Sequence, residues 1–350
     1  MNIIELLTLA YEVAWLPWAV QYFFLVGICT GAALTAAACA FGGLGSAGAR
    51  LLPTAVVVLA ASAAAAPVSL LADLHQPARF WHFYAHFTPW SWMSVGAYLL
   101  PALVVLAFAF CIVWWLGWKP LLRVLAVLMA LSAISVMVYT GAEIMVVRAR
   151  PLWNTLLLPF NLALTGWLAA LGAMLVVGRL MPGGMAALPA QLLRRLCLAV
   201  AWLLVAAVVL WAGVGLMTDT PSFVAAKRLF TEFPVWRLSL LGSVLAGLVV
   251  LMLLKRPAST LMRPGFSLGI GLAMLAAAWG FRWALFMGVQ GVPKFGAGLY
   301  VYNMPLGGDG LLGILGVFGL CVALLASLTL ALEYFPARHA IPAKTPRISP

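Results

Sequence analysis

A handful of polar side chains stand where long apolar runs begin or end, and their types suit one kind of chemistry. Gln21 lies just inside the first run, while Asp73 closes the second and leads into His75 and Arg79. Tyr139 and Glu143, spaced i and i+4, share one face of the fourth. Ionisable residues at membrane depth are costly, which makes each of them a functional candidate. A quinone head group needs hydrogen bonds to its two carbonyls, an aromatic-lined slot and a residue that takes protons on oxidation. Tyr139, His75 and a carboxylate, Asp73 or Glu143, meet those needs. The plainer alternative is that Asp73, Arg79 and Glu143 end helices and pair at the interface.

The elements that position these residues follow from composition. Of 350 residues, 65% are apolar and 8% charged, with a mean hydropathy of +1.11. A soluble domain carries about 45–50% apolar and about 25% charged residues, so a soluble enzyme, a disordered chain and a nucleic-acid-binding domain are all excluded. The net charge of +12 is spread thinly between apolar runs and forms no basic face. Nine runs approach the roughly 20 residues that a spanning helix needs, at about 17–40, 54–73, 93–117, 122–143, 155–178, 195–217, 237–254, 266–290 and 311–332. None alternates in the manner of a barrel strand. The expected fold is all-α, a polytopic integral membrane helix bundle of about nine transmembrane helices. It divides into an outer N-terminal segment (1–16), quinone-site helices (17–180), remaining helices (181–332) and a cytoplasmic tail (333–350).

With nine spans, twelve Lys and Arg fall on one side and seven on the other, with Arg282 inside a span. The positive-inside rule then puts the N-terminus outside and the C-terminus in the cytoplasm. Gln21, Asp73, His75, Tyr139 and Glu143 all reach the outer boundary, which also has the longer connections, about 74–92, 218–236 and 291–310. Glu5 and Glu12 stand where a leader would carry Lys or Arg, so no cleaved leader is expected. The five cysteines sit singly with no C-x-x-C pair, which leaves no ligand set for zinc or an iron–sulfur cluster. No span contains a histidine, so haem inside the membrane is not expected. Arg282, between Trp279 and Trp283, either steadies an anion or a proton path, or pairs with Asp309 or Glu232 or stacks on its tryptophans. Gly27 and Gly31 form a GxxxG, and small residues recur at Gly265, Gly269 and Ala273; both sets are expected to allow close helix packing.

Two stretches carry a resemblance. LLADLHQPARFWHFYAHFTPWSWMSVGAYLL contains D-L-x-x-P-x-R-F-W and S-W-M-S-x-G; VYTGAEIMVVRARPLWNTLLLPFNLALTG contains Tyr-x-Gly, then Pro-x-Trp-Asn and a later Pro. Together they make about 15–180 similar to the NrfD/PsrC family, the membrane subunits of polysulfide reductase-like complexes; about 191–332 matches poorly. The resemblance implies a subunit of the bacterial inner membrane without haem or iron–sulfur cluster. It would oxidise menaquinol or ubiquinol near the periplasmic face. Electrons would pass to a four-cluster ferredoxin-like iron–sulfur subunit that feeds a molybdopterin catalytic subunit. Tyr139 matches the family's quinone-bonding tyrosine, and Asp73 and Arg79 match its loop pattern. Gln21 stands near the position of a first-span histidine known in some members. The family core has eight spans, so a ninth is a departure.

The expected function is thus the quinol-oxidising membrane subunit of a respiratory molybdopterin reductase complex. Asp73, Tyr139 and Glu143 would be catalytic, and Gln21, His75, Arg79 and Tyr139 would hold the quinone. The lipid bilayer is the other partner, with no nucleic acid. Two readings remain beside it: a secondary transporter of a small anion, which the absence of an internal repeat disfavours, and a passive membrane anchor.

Overall fold

The computed structural model describes residues 15–74, 76–290 and 302–338. Among them are nine helices long and apolar enough to cross a bilayer: Pro17–Ala40, Gly45–Asp73, Trp92–Leu116, Lys119–Met145, Leu157–Val177, Ala190–Thr218, Pro234–Leu254, Pro264–Gly288 and Leu311–Tyr334, here the first to ninth spans. No strand occurs among the described residues. The chain is an all-α, multi-pass integral membrane protein.

The spans start and stop where backbone chemistry requires. Proline stands in the first turn of the first, fourth, seventh and eighth spans, where its missing N–H would have no partner anyway. Gly117, at φ 75°, closes the third in the left-handed conformation that a Cβ would oppose. The second span begins at Gly45 rather than near 54, because Pro53 and Pro67 lie inside one continuous helix. Lipid offers no water to a broken backbone, so losing a single intrahelical bond is the smaller penalty.

The first span is the hub, buried along most of its length and packed against the second, fourth, fifth, eighth and ninth. The sixth, seventh and ninth are mostly exposed, as spans facing hydrocarbon should be. The GxxxG does what its spacing implies: a Cβ on Gly27 would come within 3.1 Å of the Gly166 backbone, and one on Gly31 within 2.7 Å of Trp167 Cα. The expectation for Gly265 and Gly269 fails, since both face open space. The close crossing of the fifth and eighth spans falls instead at Gly172 and Gly271.

Two connections at the loop-rich end have structure of their own. The 74–92 stretch folds into a short turn at Pro77–Arg79 and a one-turn helix at His82–Ala85. The 218–236 stretch holds the helix Pro221–Glu232, whose Ser222, Ala226 and Leu229 face inward. Ser222 Oγ donates to the Leu152 carbonyl (3.0 Å) and accepts from Trp211 Nε1 (3.2 Å), fixing this helix to the loop after the fourth span.

That loop has a further task. The eighth span ends in a π-helical turn, Ala284–Gly288, a distortion that disturbs the regular carbonyl ladder. Trp153 Nε1 donates to Leu285 O (2.9 Å), Arg150 Nη1 to Val289 O (3.2 Å) and Gln290 Nε2 to Phe286 O (3.2 Å). The Trp of Pro-x-Trp-Asn is therefore a cap for a distant helix.

At the Gly27–Gly166 crossing, Gly166→Val is expected to destabilise the protein by about 1–3 kcal/mol, because the new Cβ would sit 2.7 Å from Gly27 Cα. Gly269→Val should change little. Thermal unfolding in detergent, followed by tryptophan fluorescence, compares the two; equal losses would contradict this packing.

Candidate functional site

The site is assembled from the ends of packed spans. Tyr139, in the last two turns of the fourth, is 6% exposed. Its ring lies directly against Gly96 of the third span, where a Cβ would collide with both ring and hydroxyl. Gly96 ends the S-W-M-S-x-G motif, so that glycine makes the space the tyrosine fills. Two residues after Tyr139, Gly141 packs on Pro159 of the fifth span, which joins the Gly of Tyr-x-Gly to the later Pro.

The Tyr139 hydroxyl lies beside the Tyr22 hydroxyl of the first span and the Glu143 carboxyl of its own helix. Glu143 is in turn within electrostatic reach of Asp73, at the end of the second span. Asp73 Oδ1 accepts the Leu16 backbone N–H at 3.2 Å. A carboxylate there caps the first span at its positive end, so Asp73 has a structural role as well as a place in the cluster.

What the cluster lacks is as informative as what it contains. Gln21 is fully buried, yet neither its amide oxygen nor its nitrogen has a hydrogen-bond partner. Glu143 Oε2 and, four residues into the fifth span, Asn161 Oδ1 also lack one. An unsatisfied buried polar atom costs about 1–3 kcal/mol. Several of them at the loop-rich ends of three mutually packed spans mark a place where a hydrogen-bonding ligand would be stabilised.

An open cleft of about 480 Å³ lies at the same end of the bundle, between the second and third spans. It begins at Leu74, next to Asp73, passes Arg79, His82 and His86, and ends at Ser91 and Ser94, within a helical turn of Gly96. That volume lies in the range of small-molecule sites. Around its mouth Phe80, Trp81, Tyr84, Phe87 and Trp90 are exposed, the composition of a membrane-interface belt.

Deeper in the bundle Arg282 is 1% exposed. Its expected pairing with Asp309 or Glu232 is not made: Glu232 bonds Arg228 at 2.9 Å, and Trp279 and Trp283 stack on each other at 5.2 Å. The guanidinium is held by neutral oxygens instead. Nε donates to Phe23 O (2.9 Å), Nη1 to Thr165 Oγ1 (3.1 Å) and Ala278 O (3.0 Å), and Nη2 to Leu162 O (3.0 Å). Gly27 leaves the room, since a Cβ there would lie 2.6 Å from Nη2.

Of the residues expected from sequence, Tyr139, Glu143 and Asp73 come together, and Gln21 is buried one residue from Tyr22, which joins them. Arg79 is exposed and lines the open cleft between the second and third spans. His75 lies outside the described residues. Sequence reasoning missed Tyr22, Asn161 and Gly96. The first two are polar side chains in apolar runs at the same end as Gln21, a signal that depth alone could have supplied. Among the described residues no three metal-ligating side chains converge.

Comparison with known proteins agrees with these motifs. The family described as "Polysulphide reductase, NrfD" matches residues 5–294. The likeness therefore runs well past 180, through the sixth to eighth spans, and stops before the ninth. A tetrathionate reductase subunit of Salmonella typhimurium is 37% identical over 334 residues, covering 92% of this chain and 93% of that protein. A family profile matched over most of the length and a relative aligned nearly end to end lead to one conclusion: the chain belongs to the NrfD polysulphide reductase family.

Proposed function

We propose that this protein is the membrane subunit of a tetrathionate- or polysulfide-reductase-type complex and that it oxidises quinol at the loop-rich end of its bundle. The observation that carries this reading is the group of buried, unpartnered polar atoms on Gln21, Glu143 and Asn161, beside the Tyr139 and Tyr22 hydroxyls. A quinone head group supplies the donors and acceptors that these atoms lack, and its tail stays in lipid. The kinship with a tetrathionate reductase subunit supports the type of complex.

Oxidation of one quinol releases two protons and two electrons. Tyr139 and Gln21 hydrogen-bond the head-group oxygens and hold the ring. Glu143 and Asp73 take the protons and pass them to water in the open cleft, on the periplasmic side in the expected orientation. The electrons leave one at a time to an iron–sulfur partner subunit docked on that face, which feeds a molybdopterin catalytic subunit. No span has a histidine to hold haem, so the quinol must lie close to the partner. Menaquinol and ubiquinol both satisfy this chemistry.

Asp73→Asn keeps the oxygen that caps the first span and removes the proton acceptor. In the co-purified complex it is expected to lower oxidation of a reduced naphthoquinol by about 10²–10⁴-fold, the range for general base loss, with assembly intact. Tyr139→Phe should weaken quinol binding and slow turnover together. Wild-type rates in both variants would leave a passive anchor. Gln21→Leu removes two unsatisfied atoms and should leave the ligand-free protein as stable or more stable by about 1 kcal/mol, while weakening quinone binding. A marked loss of thermal stability would show that Gln21 is structural.

A further inference from the structure

We propose that Arg282 is an electrostatic positioning residue that tunes the quinone site toward negative charge on the bound head group. The inference rests on the quinol reading above and concerns a side chain that touches neither Tyr139 nor Glu143.

The surroundings of Arg282 are specific to a guanidinium. Three spans contribute: Phe23 O from the first, Leu162 O and Thr165 Oγ1 from the fifth, and Ala278 O from its own. Every acceptor is neutral, and no carboxylate pairs with Arg282 among the described residues. A buried charge held only by dipoles keeps its field, because no counter-ion cancels it, and low-dielectric surroundings screen that field weakly. A purely structural staple needs no charge at this place. Gln or Lys would meet fewer of these acceptors, and an apolar residue would fill the space without the desolvation penalty.

The direction of the field follows from what Arg282 adjoins. Phe23, whose carbonyl it bonds, directly follows Gln21 and Tyr22. A void of about 10 Å³, enough for one water, is lined by Arg282, Thr30 and Thr140, and Thr140 directly follows Tyr139. The guanidinium therefore lies one to two helical turns below the tyrosine pair, roughly 5–10 Å along the helix axis. Above it stand the carboxyl groups of Asp73 and Glu143, which by themselves would oppose any negative charge on a ligand between them. Arg282 offsets them from below.

Two ligands of nearly equal shape separate charge from packing. An acidic 2-hydroxy-1,4-naphthoquinone is ionised at neutral pH, whereas its methyl ether is neutral. Binding of each to the purified complex in lipid nanodiscs is measured by tryptophan quenching. Wild type should bind the ionised compound at least as tightly as the ether. Arg282→Gln should lose about tenfold in affinity for the ionised compound, as expected for a unit charge at such distances, and keep its affinity for the ether. Arg282→Lys should restore the preference. Equal weakening toward both ligands in Arg282→Gln would make Arg282 a packing residue and overturn the inference. Should Arg282→Gln fail to assemble, wild type still decides, because tighter binding of the ether would overturn it too. If wild type binds neither ligand, the quinone reading itself falls, an outcome distinct from the other two.

Discussion

Inside a bilayer no water stands ready to complete a hydrogen bond, and most of what is unusual in this bundle follows from that. Among the described residues nine apolar helices satisfy their own backbones, which is why prolines at 53 and 67 are absorbed in one span rather than ending it. Where a helix departs from regularity the protein brings a donor to it. The π-helical turn of the eighth span is met by Trp153, Arg150 and Gln290, each bonding a carbonyl of that distorted end. Trp153 and Arg150 come from the short loop between the fourth and fifth spans, so this loop reaches across the sequence and holds the eighth span at a fixed height.

Against so complete a pairing, the exceptions are meaningful. Arg282, the most demanding side chain in the bundle, is bonded through all three guanidinium nitrogens. A protein that can gather four acceptors for one arginine could have supplied one donor for Gln21, yet Gln21 is left with none. Packing does not excuse this, because the first span is the most closely surrounded helix. Unpaired buried atoms also occur elsewhere, on Ser132, Arg179 and Trp279, but those of Gln21, Glu143 and Asn161 share one end of three packed spans, where a polar head group could meet them together.

Much of the fold is legible in the sequence because hydropathy and span length are one-dimensional properties. Runs of about 20 apolar residues, broken by Pro, Gly and charge, correspond to the observed spans with boundaries shifted by a few residues, except at the second, which starts at Gly45 rather than near 54. Pairings between spans are three-dimensional, and there the sequence is a poorer guide. Gly27 and Gly31 are recognisable from spacing, whereas Gly265 and Gly269 have equally suitable spacing but face open space, since spacing does not say which side of a helix meets a neighbour. For Arg282 an acidic partner is the natural expectation from soluble ion pairs; the backbone carbonyls that hold it instead leave no trace in the sequence. At the site, Tyr139, Glu143 and Asp73 can be placed at one depth by counting from the ends of spans. Gly96 cannot, because its part depends on which helices touch.

The family motifs acquire separate meanings once these contacts are known. Gly96 and Gly141 yield space, the one to the Tyr139 ring and the other to Pro159, so both serve to set the tyrosine at its depth. Trp153 serves the far helix that carries Arg282. Asp73 serves twice, as cap of the first span and as neighbour of Glu143. On the proposed reading this arrangement divides the labour by sign of charge. Carboxyl groups stand at the aqueous boundary, where a proton taken from quinol has a short way out, and the buried arginine stands below, where it favours electron density on the head-group oxygens. Reversing the two would trap protons in the bundle and expose the cation to water, where screening would erase its effect. On that reading, the vertical order of the charges follows from sending protons and electrons out through the same end of the protein.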